Sequence, residues 1–160
     1  MIQAMKQRMK NEQGLTLIEL LAVVVILGII AAIAIPSIGG LIDNSKKDAH
    51  VANAQQMVSS AKTYVAGNAD LNYSSAVTLS LQDMIDEGLI DEMEDPDKTE
   101  DKYVKGTKGD DDGSFVKITK DKKTFKYEVK LMNKERGIWE KDQKELKRDN
   151  VDEVSKLSQP

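Results

Sequence analysis

The stretch NEQGLTLIELLAVVVILGIIAAIAIPSIGG, residues 11–40, places one carboxylate, Glu19, beside an apolar run. Residues 20–42 contain no charged side chain at all. At about 1.5 Å of rise per residue, a helix over this run is about 34 Å long, enough to cross a hydrocarbon core of about 30 Å. A chain of 160 residues with 40% hydrophobic content has little else to wrap such a helix on every side. We therefore predict a membrane-spanning helix.

The residues before the span are basic. Lys6, Arg8 and Lys10 stand against one acid, Glu12. Positive charge before an apolar segment keeps that side in the cytoplasm, so a single pass would place the rest of the chain outside. A secretory signal peptide also has a basic start and an apolar stretch, and AIAIPSIGG can be read as its cleavage region.

The segment G-LTLIE followed by a long apolar helix resembles the prepilin signature of type IV pilins and related pseudopilins. The resemblance covers about residues 6–64 and includes the basic leader, Gly14, the Thr-Leu-Ile-Glu run, the charge-free span and Pro36. It implies that a membrane-embedded prepilin peptidase cuts after Gly14 and methylates the new amine of Leu15, where the family usually has Phe. The hydrophobic helix then stays attached to the mature protein.

Cleavage after Gly14 would explain the position of Glu19. An isolated ionised acid in an apolar medium is costly, and an opposite charge nearby reduces that cost. The new amine of Leu15 is such a charge, and in a bundle of these helices Glu19 can neutralise the amine of a neighbouring subunit. We predict an assembly role for Glu19; the alternative is an interfacial acid that only contacts lipid headgroups.

Pro36 is predicted to kink or interrupt the helix, because it removes a backbone donor and because Gly39 and Gly40 weaken the turn beyond it. We count it with Glu19 as an assembly residue. The helical pattern then resumes to about residue 66, with one apolar face formed by Val51, Ala54, Val58, Ala61 and Val65. The first half is predicted to be membrane or filament core, and the second half to pack under an external domain.

The remaining residues predict a small α+β domain. Gly67 is a natural end for the long helix, and Ser80 with Asp83 forms a capping-box-like start of a short second helix that Gly88 closes. Phe125, Tyr127, Val129 and Leu131 alternate with charged residues, which is the pattern of a strand with one wet face. The segment SFVKIT pairs with it through a turn at residues 121–123, and a third strand includes Ile138 and Trp139. Phe115, Phe125, Tyr127 and Trp139 are the predicted aromatic core.

The predicted division is a leader at residues 1–14, a membrane or filament-core helix at 15–42, its amphipathic continuation at 43–66, an outer domain at 67–139, and a charged tail at 140–160. The tail is expected to be a frayed helix or disordered, and we assign it no function. The single histidine, His50, is predicted to be an ordinary surface residue.

Two segments contain clustered charges that could bind a ligand. The loop GTKGDDDGS offers Asp110, Asp111 and Asp112 as calcium ligands, but its spacing is not that of an EF-hand, so a solvated loop is favoured and no cofactor is otherwise predicted. Lys122, Lys123, Lys126 and Lys130 form a candidate patch for an anionic ligand. Because the chain carries a net charge of −4, nucleic acid is expected to be bound only through an assembled filament.

Charge is distributed unevenly. Residues 83–113 contain thirteen acids and four lysines, net −9, whereas residues 114–136 contain eight bases and three acids, net +5. Such regions can meet between neighbouring subunits, or they can be two solvated faces of one molecule. The sequence does not distinguish between these two interpretations.

No catalytic constellation is visible, so an enzyme is not predicted. The resemblance implies a structural subunit of a type IV pilus-like surface filament that serves DNA uptake, adhesion or motility. Within that family the chain is nearest to Gram-positive competence-type major pilins, because its predicted outer domain is compact and lacks the disulfide common among Gram-negative pilins. Its implied partners are identical copies, a prepilin peptidase, a platform membrane protein, an assembly ATPase and minor pilins. Its location would be the membrane before assembly and the cell surface afterwards. The alternatives are a pseudopilin of a secretion system and a signal-anchored extracellular binding module.

Overall fold

The computed structural model describes residues 16–68, 73, 75–110 and 112–157. Internal contacts divide the chain into two units, Met1–Ile42 and Asp43–Pro160. The first described element, helix α1 (Leu17–Gly67), supplies residues to both units. All other described elements belong to the second unit, which we call the outer unit.

In the first unit α1 is helical at every described residue from Leu17 onward, including Pro36, Gly39 and Gly40. The prediction of an interrupted helix is therefore wrong. A proline inside a helix removes only its own donor, and the turns on either side keep their own hydrogen bonds. A bend of the axis at Pro36, without loss of helix, stays a prediction.

In the outer unit one face of α1 is buried. Its buried residues recur at helical spacing: His50, Ala54, Met57, Val58, Ser60, Ala61 and Val65. The predicted apolar face is thus confirmed, with Val51 only partly buried. The helix ends at the predicted glycine, where the backbone N–H and the side-chain amide of Asn68 both donate to the carbonyl of Tyr64, at 3.0 and 2.9 Å.

The outer unit contains an antiparallel sheet in the order β1-β2-β3-β4-β5. Its strands are β1 (Val77–Ser80), β2 (Phe115–Asp121), β3 (Thr124–Met132), β4 (Arg136–Asp142) and β5 (Asp152–Glu153). The β2–β3 hairpin closes with Asp121 opposite Thr124, at the predicted turn. Together with α1 the sheet confirms the predicted α+β, pilin-like fold.

Helix α2 (Leu81–Asp86) follows β1 directly. The Ser80 hydroxyl accepts from the Asp83 backbone N–H at 3.0 Å, and the Asp83 carboxylate accepts from the Ser80 backbone at 3.1 Å. This is the predicted capping box. After the helix, Gly88 takes a φ of 66°, a left-handed conformation that glycine adopts without steric cost.

The core of the outer unit lies between α1 and the sheet and is mainly aliphatic. Its strand residues are Leu79, Val116, Ile118, Tyr127, Val129, Leu131 and Ile138. Phe115 is also buried, but it pairs across the strands with Lys130, so it lies on the sheet face that points away from this core. The expectation that Trp139 is a core residue is wrong, since it is 37% exposed.

The predicted charged tail is structured as far as residue 157. Strand β4 crosses the predicted boundary at residue 139, and a 3₁₀ helix (Arg148–Asn150), β5 and helix α3 (Val154–Leu157) follow it. Arg148 donates to both carboxylate oxygens of Asp48 on α1, at 2.8 and 2.5 Å, and Val151 is buried. The expectation of a frayed or disordered tail is wrong, because Arg148 is paired with Asp48, which lies 100 positions earlier in the chain, and because Val151 is buried.

Candidate functional site

The start of α1 is held by a second capping box, formed by Thr16 and Glu19. The Glu19 carboxylate accepts from the Thr16 backbone N–H and hydroxyl, each at 2.8 Å, and the Thr16 hydroxyl accepts from the Glu19 backbone N–H at 3.3 Å. This pair was not predicted, although Thr-x-x-Glu before an apolar run is the signature of a capping box. Gly14 and Leu15, the predicted cleavage and methylation residues, lie outside the described residues.

Beyond Glu19, the first part of α1 exposes nearly all of its apolar surface. Its large hydrophobic side chains are between 45% and 87% exposed, from Val23 to Leu17. Within the described part of the chain, α1 is the one helix long and apolar enough to cross a membrane, and no residue of its most apolar stretch is buried. The core helix of a soluble domain would be covered, so this helix requires cover from lipid or from another protein.

The outer unit contains a polar cluster buried between α1, the segment 95–103 and the β3–β4 turn. His50 is fully buried, and its Nε2 lies 2.9 Å from an Asp97 carboxylate oxygen, while its Nδ1 lies 2.8 Å from the Tyr103 hydroxyl. Asn53 donates to that hydroxyl at 2.9 Å. The expectation that His50 is a surface residue is therefore wrong. Neutral His50 satisfies every contact if Tyr103 donates to Nδ1 and Nε2–H donates to Asp97.

Cations surround the buried carboxylate of Asp97. The Nε of Arg136 lies 3.0 Å from one oxygen and Lys46 Nζ lies 3.4 Å from the other, while Arg136 also donates to Asp43 at 2.7 Å. Asn133 adds a hydrogen bond to Asp97 at 3.0 Å. Burial raises the pKa of Asp97, but the hydrogen bonds from Asn133 and His50 and the charge of Arg136 outweigh it, so this pKa lies below its usual value.

Asp95 is the other buried acid of the cluster. Its oxygens accept from the Asp97 and Thr99 backbone N–H groups at 3.0 Å each, from Asn133 at 2.8 Å, and from the Thr99 hydroxyl. Burial raises the pKa of Asp95, but the hydrogen bonds from Thr99, Asp97 and Asn133 lower it by a larger amount, so this pKa lies below its usual value. The Asp95 carboxylate thus holds residues 95–99 in a turn through its hydrogen bonds to Asp97 and Thr99.

One donor atom each of His50, Asp95 and Asp97 lie within 4.8 Å of one another, which is the spacing of a three-residue metal site. The chemistry of the cluster does not fit one. Lys46 and Arg136 already lie beside Asp97, and the Asp95 oxygens are taken up by four hydrogen bonds. A metal would have to displace these partners, so the cluster is better described as a clamp that fastens the first turns of α1 in the outer unit to the sheet.

The predicted calcium loop has a partial structural explanation. Asp112 binds Thr107 through both oxygens, each at 2.7 Å, so this acid closes the loop on itself. Gly113 packs so closely on Gly106 that a Cβ would come within 2.3 Å of backbone. Asp110 is exposed, and Asp111 lies outside the described residues. The solvated loop stays the favoured prediction, with calcium binding at these three acids as its alternative.

The four lysines of the predicted anionic-ligand patch differ in exposure and in pairing. Lys122 and Lys123 are exposed at the β2–β3 turn, and Lys126 pairs with Glu128 at 2.9 Å. Lys130 is only 5% exposed, and its ammonium lies 4.0 Å from the Trp139 ring centroid. Lys130 does not belong to an exposed patch, because Trp139 and Phe115 cover the position that strand alternation assigns to the solvent.

A family model described as the prokaryotic N-terminal methylation motif matches residues 9–35. No match is found among curated proteins or among solved structures. The matched residues include the Thr16–Glu19 box and the uncovered apolar turns of α1. A motif of this kind implies processing by a prepilin peptidase and use of pilus assembly machinery, and with the apolar helix it fits membrane anchoring before assembly into a surface filament. The N-terminal match and the fold together support a protein of the type IV pilin or prepilin type.

Proposed function

We propose that this chain is the structural subunit of a type IV pilus-like filament. It is cut after Gly14, methylated on Leu15, stored in the membrane through residues 15–42, and polymerised through the same helix. The N-terminus is cytoplasmic and the outer unit lies outside. Its machinery comprises the peptidase, a platform membrane protein, an assembly ATPase and minor pilins.

The observation that carries the proposal is the uncovered apolar helix directly behind the methylation motif. Residues 17–42 present a membrane-length surface that no other described residue covers. Lipid can cover it in the stored subunit, and copies of the same helix can cover it in a filament. Burial of apolar surface is worth about 25 cal/mol per Å², so burial of this surface can drive the helices to bundle once the subunits leave the lipid.

Glu19 gives the proposal its second element. In the single chain its carboxylate has only Thr16 as a partner among the described residues, through neutral hydrogen bonds. These bonds satisfy part of the charged group but do not neutralise it. The amine created at Leu15 supplies the missing positive charge when helices of neighbouring subunits meet.

The first test is the intact mass and N-terminal sequence of the protein recovered from cells with its own processing machinery. We expect a chain that begins at N-methylated Leu15. A chain that still carries Met1, or one cut beyond Ile35, contradicts the proposal and supports an anchored or secreted binding module instead.

The second test separates the charge of Glu19 from its capping role. Glutamine at this position can still complete the capping box, whereas alanine cannot. We expect Glu19→Gln and Glu19→Ala both to be cleaved and to remain in the membrane, and both to abolish sheared filaments. Wild-type filament yield from Glu19→Gln would show that capping, and not neutralisation of an amine, is what assembly requires.

Within this class we favour a competence-type pilus, in which DNA is taken up through the assembled filament. The absence of cysteine and the small outer unit support this choice over pilins that depend on a disulfide. A transformation assay that compares the wild type with Glu19→Ala tests it. Normal DNA uptake by cells without filaments would exclude the competence role and leave adhesion, motility or a pseudopilin role in secretion.

A further inference from the structure

The outer unit has an acidic surface that its own fold leaves unpaired. Residues 83–97 contain eight acids and no base. The fold uses four of them: Asp83 caps α2, Asp95 and Asp97 lie in the buried cluster, and Glu92 pairs with Lys102 and Lys105 at 2.7 Å each. The four that remain are exposed, and we call them the acidic flank: Asp86, Glu87, Asp91 and Glu94.

Among the described residues, no member of the acidic flank has an ion-pair partner, and Asp86 only accepts a hydrogen bond from Gln82 at 2.7 Å. Contacts with α1 fix its position. Asn53 donates to the Glu94 carbonyl at 3.1 Å, and Ser60 donates to the Leu89 carbonyl at 2.9 Å. The segment that carries the flank therefore lies along α1 within the outer unit and is hydrogen-bonded to it at two points.

A cationic surface lies at the β2–β3 turn. Three exposed lysines, Lys120, Lys122 and Lys123, form what we call the lysine turn, with Asp121 as its single acid. In the described part of the chain none of the three has an ion-pair partner, and the Lys120 ammonium lies 5.7 Å from the Phe125 ring centroid. The turn is a tight one: Asp121 pairs with Thr124 across it, and Lys122 adopts a left-handed conformation with a φ of 52°.

We propose that the lysine turn of one copy of this chain binds the acidic flank of a second copy. The inference rests on the proposed function and deepens it by naming the contact between outer units. The two surfaces form no ion pair within one copy, so both keep their charge for a partner. Because two different surfaces meet, the contact is heterologous and can repeat without closing, as a filament requires. Exposed charges of this kind set orientation and register more than total affinity.

The experiment is a charge exchange in the full-length protein with its native machinery, with sheared filaments as the readout. Lys122→Glu with Lys123→Glu places acids against the acidic flank, and we expect about tenfold fewer filaments. Asp91→Lys with Glu94→Lys should be as defective, because it places lysines against lysines. The four changes together restore the attraction in reverse and should return the yield to near that of the wild type.

The matched control is Lys144→Glu with Lys147→Glu. These two lysines are also exposed, and the control changes the net charge by the same amount. We expect it to assemble like the wild type. All variants should be cleaved after Gly14 and remain in the membrane; failure of cleavage in the wild type would contradict the proposed function and not this contact.

Three outcomes overturn the contact. The fourfold variant can fail to recover filaments while its outer unit unfolds at the wild-type temperature. The control can lose as many filaments as the lysine-turn variant, which would make net charge the cause. The lysine-turn variant can assemble normally but lose binding of the filament to duplex DNA, which would assign these lysines to nucleic acid instead.

Discussion

The two parts of α1, residues 17–42 and residues 43–67, are both helical but differ in how far their apolar side chains are buried. In the first unit the large hydrophobic side chains are at least 45% exposed, whereas in the outer unit Ala54, Met57 and Ala61 are fully buried. Helical hydrogen bonds are local and form in both parts. Side-chain burial is not local, and in the outer unit it depends on strands that lie later in the chain, from β1 (Val77–Ser80) onward.

This contrast separates two sources of stability. The second part of α1 is stabilised by its own domain, through the aliphatic core and the His50–Asp97 cluster. The first part contributes almost no apolar burial in the single chain, so its stabilisation must come from the surrounding lipid or from other copies. Substitutions in the second part should therefore lower the free energy of unfolding of the outer unit, and substitutions in the first part should lower filament yield.

The largest effect is expected for Asp97→Ala. It leaves fully buried His50 and largely buried Arg136 without their shared carboxylate, and removing one partner of a buried ion pair costs about 4 kcal/mol. We expect this loss in the free energy of unfolding of the outer unit, measured by urea denaturation. A loss below about 1 kcal/mol would show that the cluster does not clamp α1 to the sheet.

The pH dependence of unfolding tests the same cluster. The pKa values of Asp95 and Asp97 are depressed in the folded state, so the stability they contribute is present above the ordinary value of 3.8 and is lost as the pH falls through the folded values. The wild type should lose stability on acidification below that value. Asp97→Asn lacks one of these carboxylates, so its deficit against the wild type should shrink at low pH, and a constant deficit would contradict the linkage.

Met57→Ala and Ile29→Ala compare the two parts of the helix directly. Met57 is fully buried, so its truncation should lower the free energy of unfolding of the outer unit by about 3 kcal/mol. Ile29 is 59% exposed, so its truncation should leave that free energy unchanged and reduce only filament yield. Equal destabilisation by the two variants would mean that the first part of α1 is also covered by its own chain.

The smallest effect is expected from the two capping boxes. Ser80→Ala removes the acceptor for the Asp83 backbone N–H and should cost about 1 kcal/mol of outer-unit stability. Thr16→Ala removes the equivalent hydroxyl from the start of α1 and should leave thermal unfolding of the outer unit unchanged. A shift of the melting temperature with Thr16→Ala would show that the two parts of α1 unfold together.

The sequence supports detailed prediction wherever the responsible contacts are local. The end of α1 at Gly67, the Ser80–Asp83 capping box and the β2–β3 hairpin were all predicted from residues within a few positions of one another. The predicted interruption at Pro36 was wrong because a single missing donor is too small a loss to end a helix held on both sides. The Thr16–Glu19 box is local too, and its motif could have been read from the sequence.

Residues whose partners are distant in the chain were predicted poorly. His50 meets Asp97 47 positions later, and Arg148 meets Asp48 100 positions earlier, so no local pattern marks either as an ordered contact. Lys130 follows the strand alternation that predicts exposure, yet Phe115 and Trp139 cover it. Burial of a polar group is favourable only with a partner, and the partner is known only after folding.

The sequence by itself determined the methylation motif, the membrane-length helix, the carboxylate at Glu19 and the alternation of the strands, because each depends on composition or spacing within one segment. Only the tertiary structure decided which acids and lysines remain unpaired. Of eight acids in residues 83–97, the fold uses four, and it leaves Asp86, Glu87, Asp91 and Glu94 exposed. The physical reason is that the energy of a charge depends on what surrounds it in space.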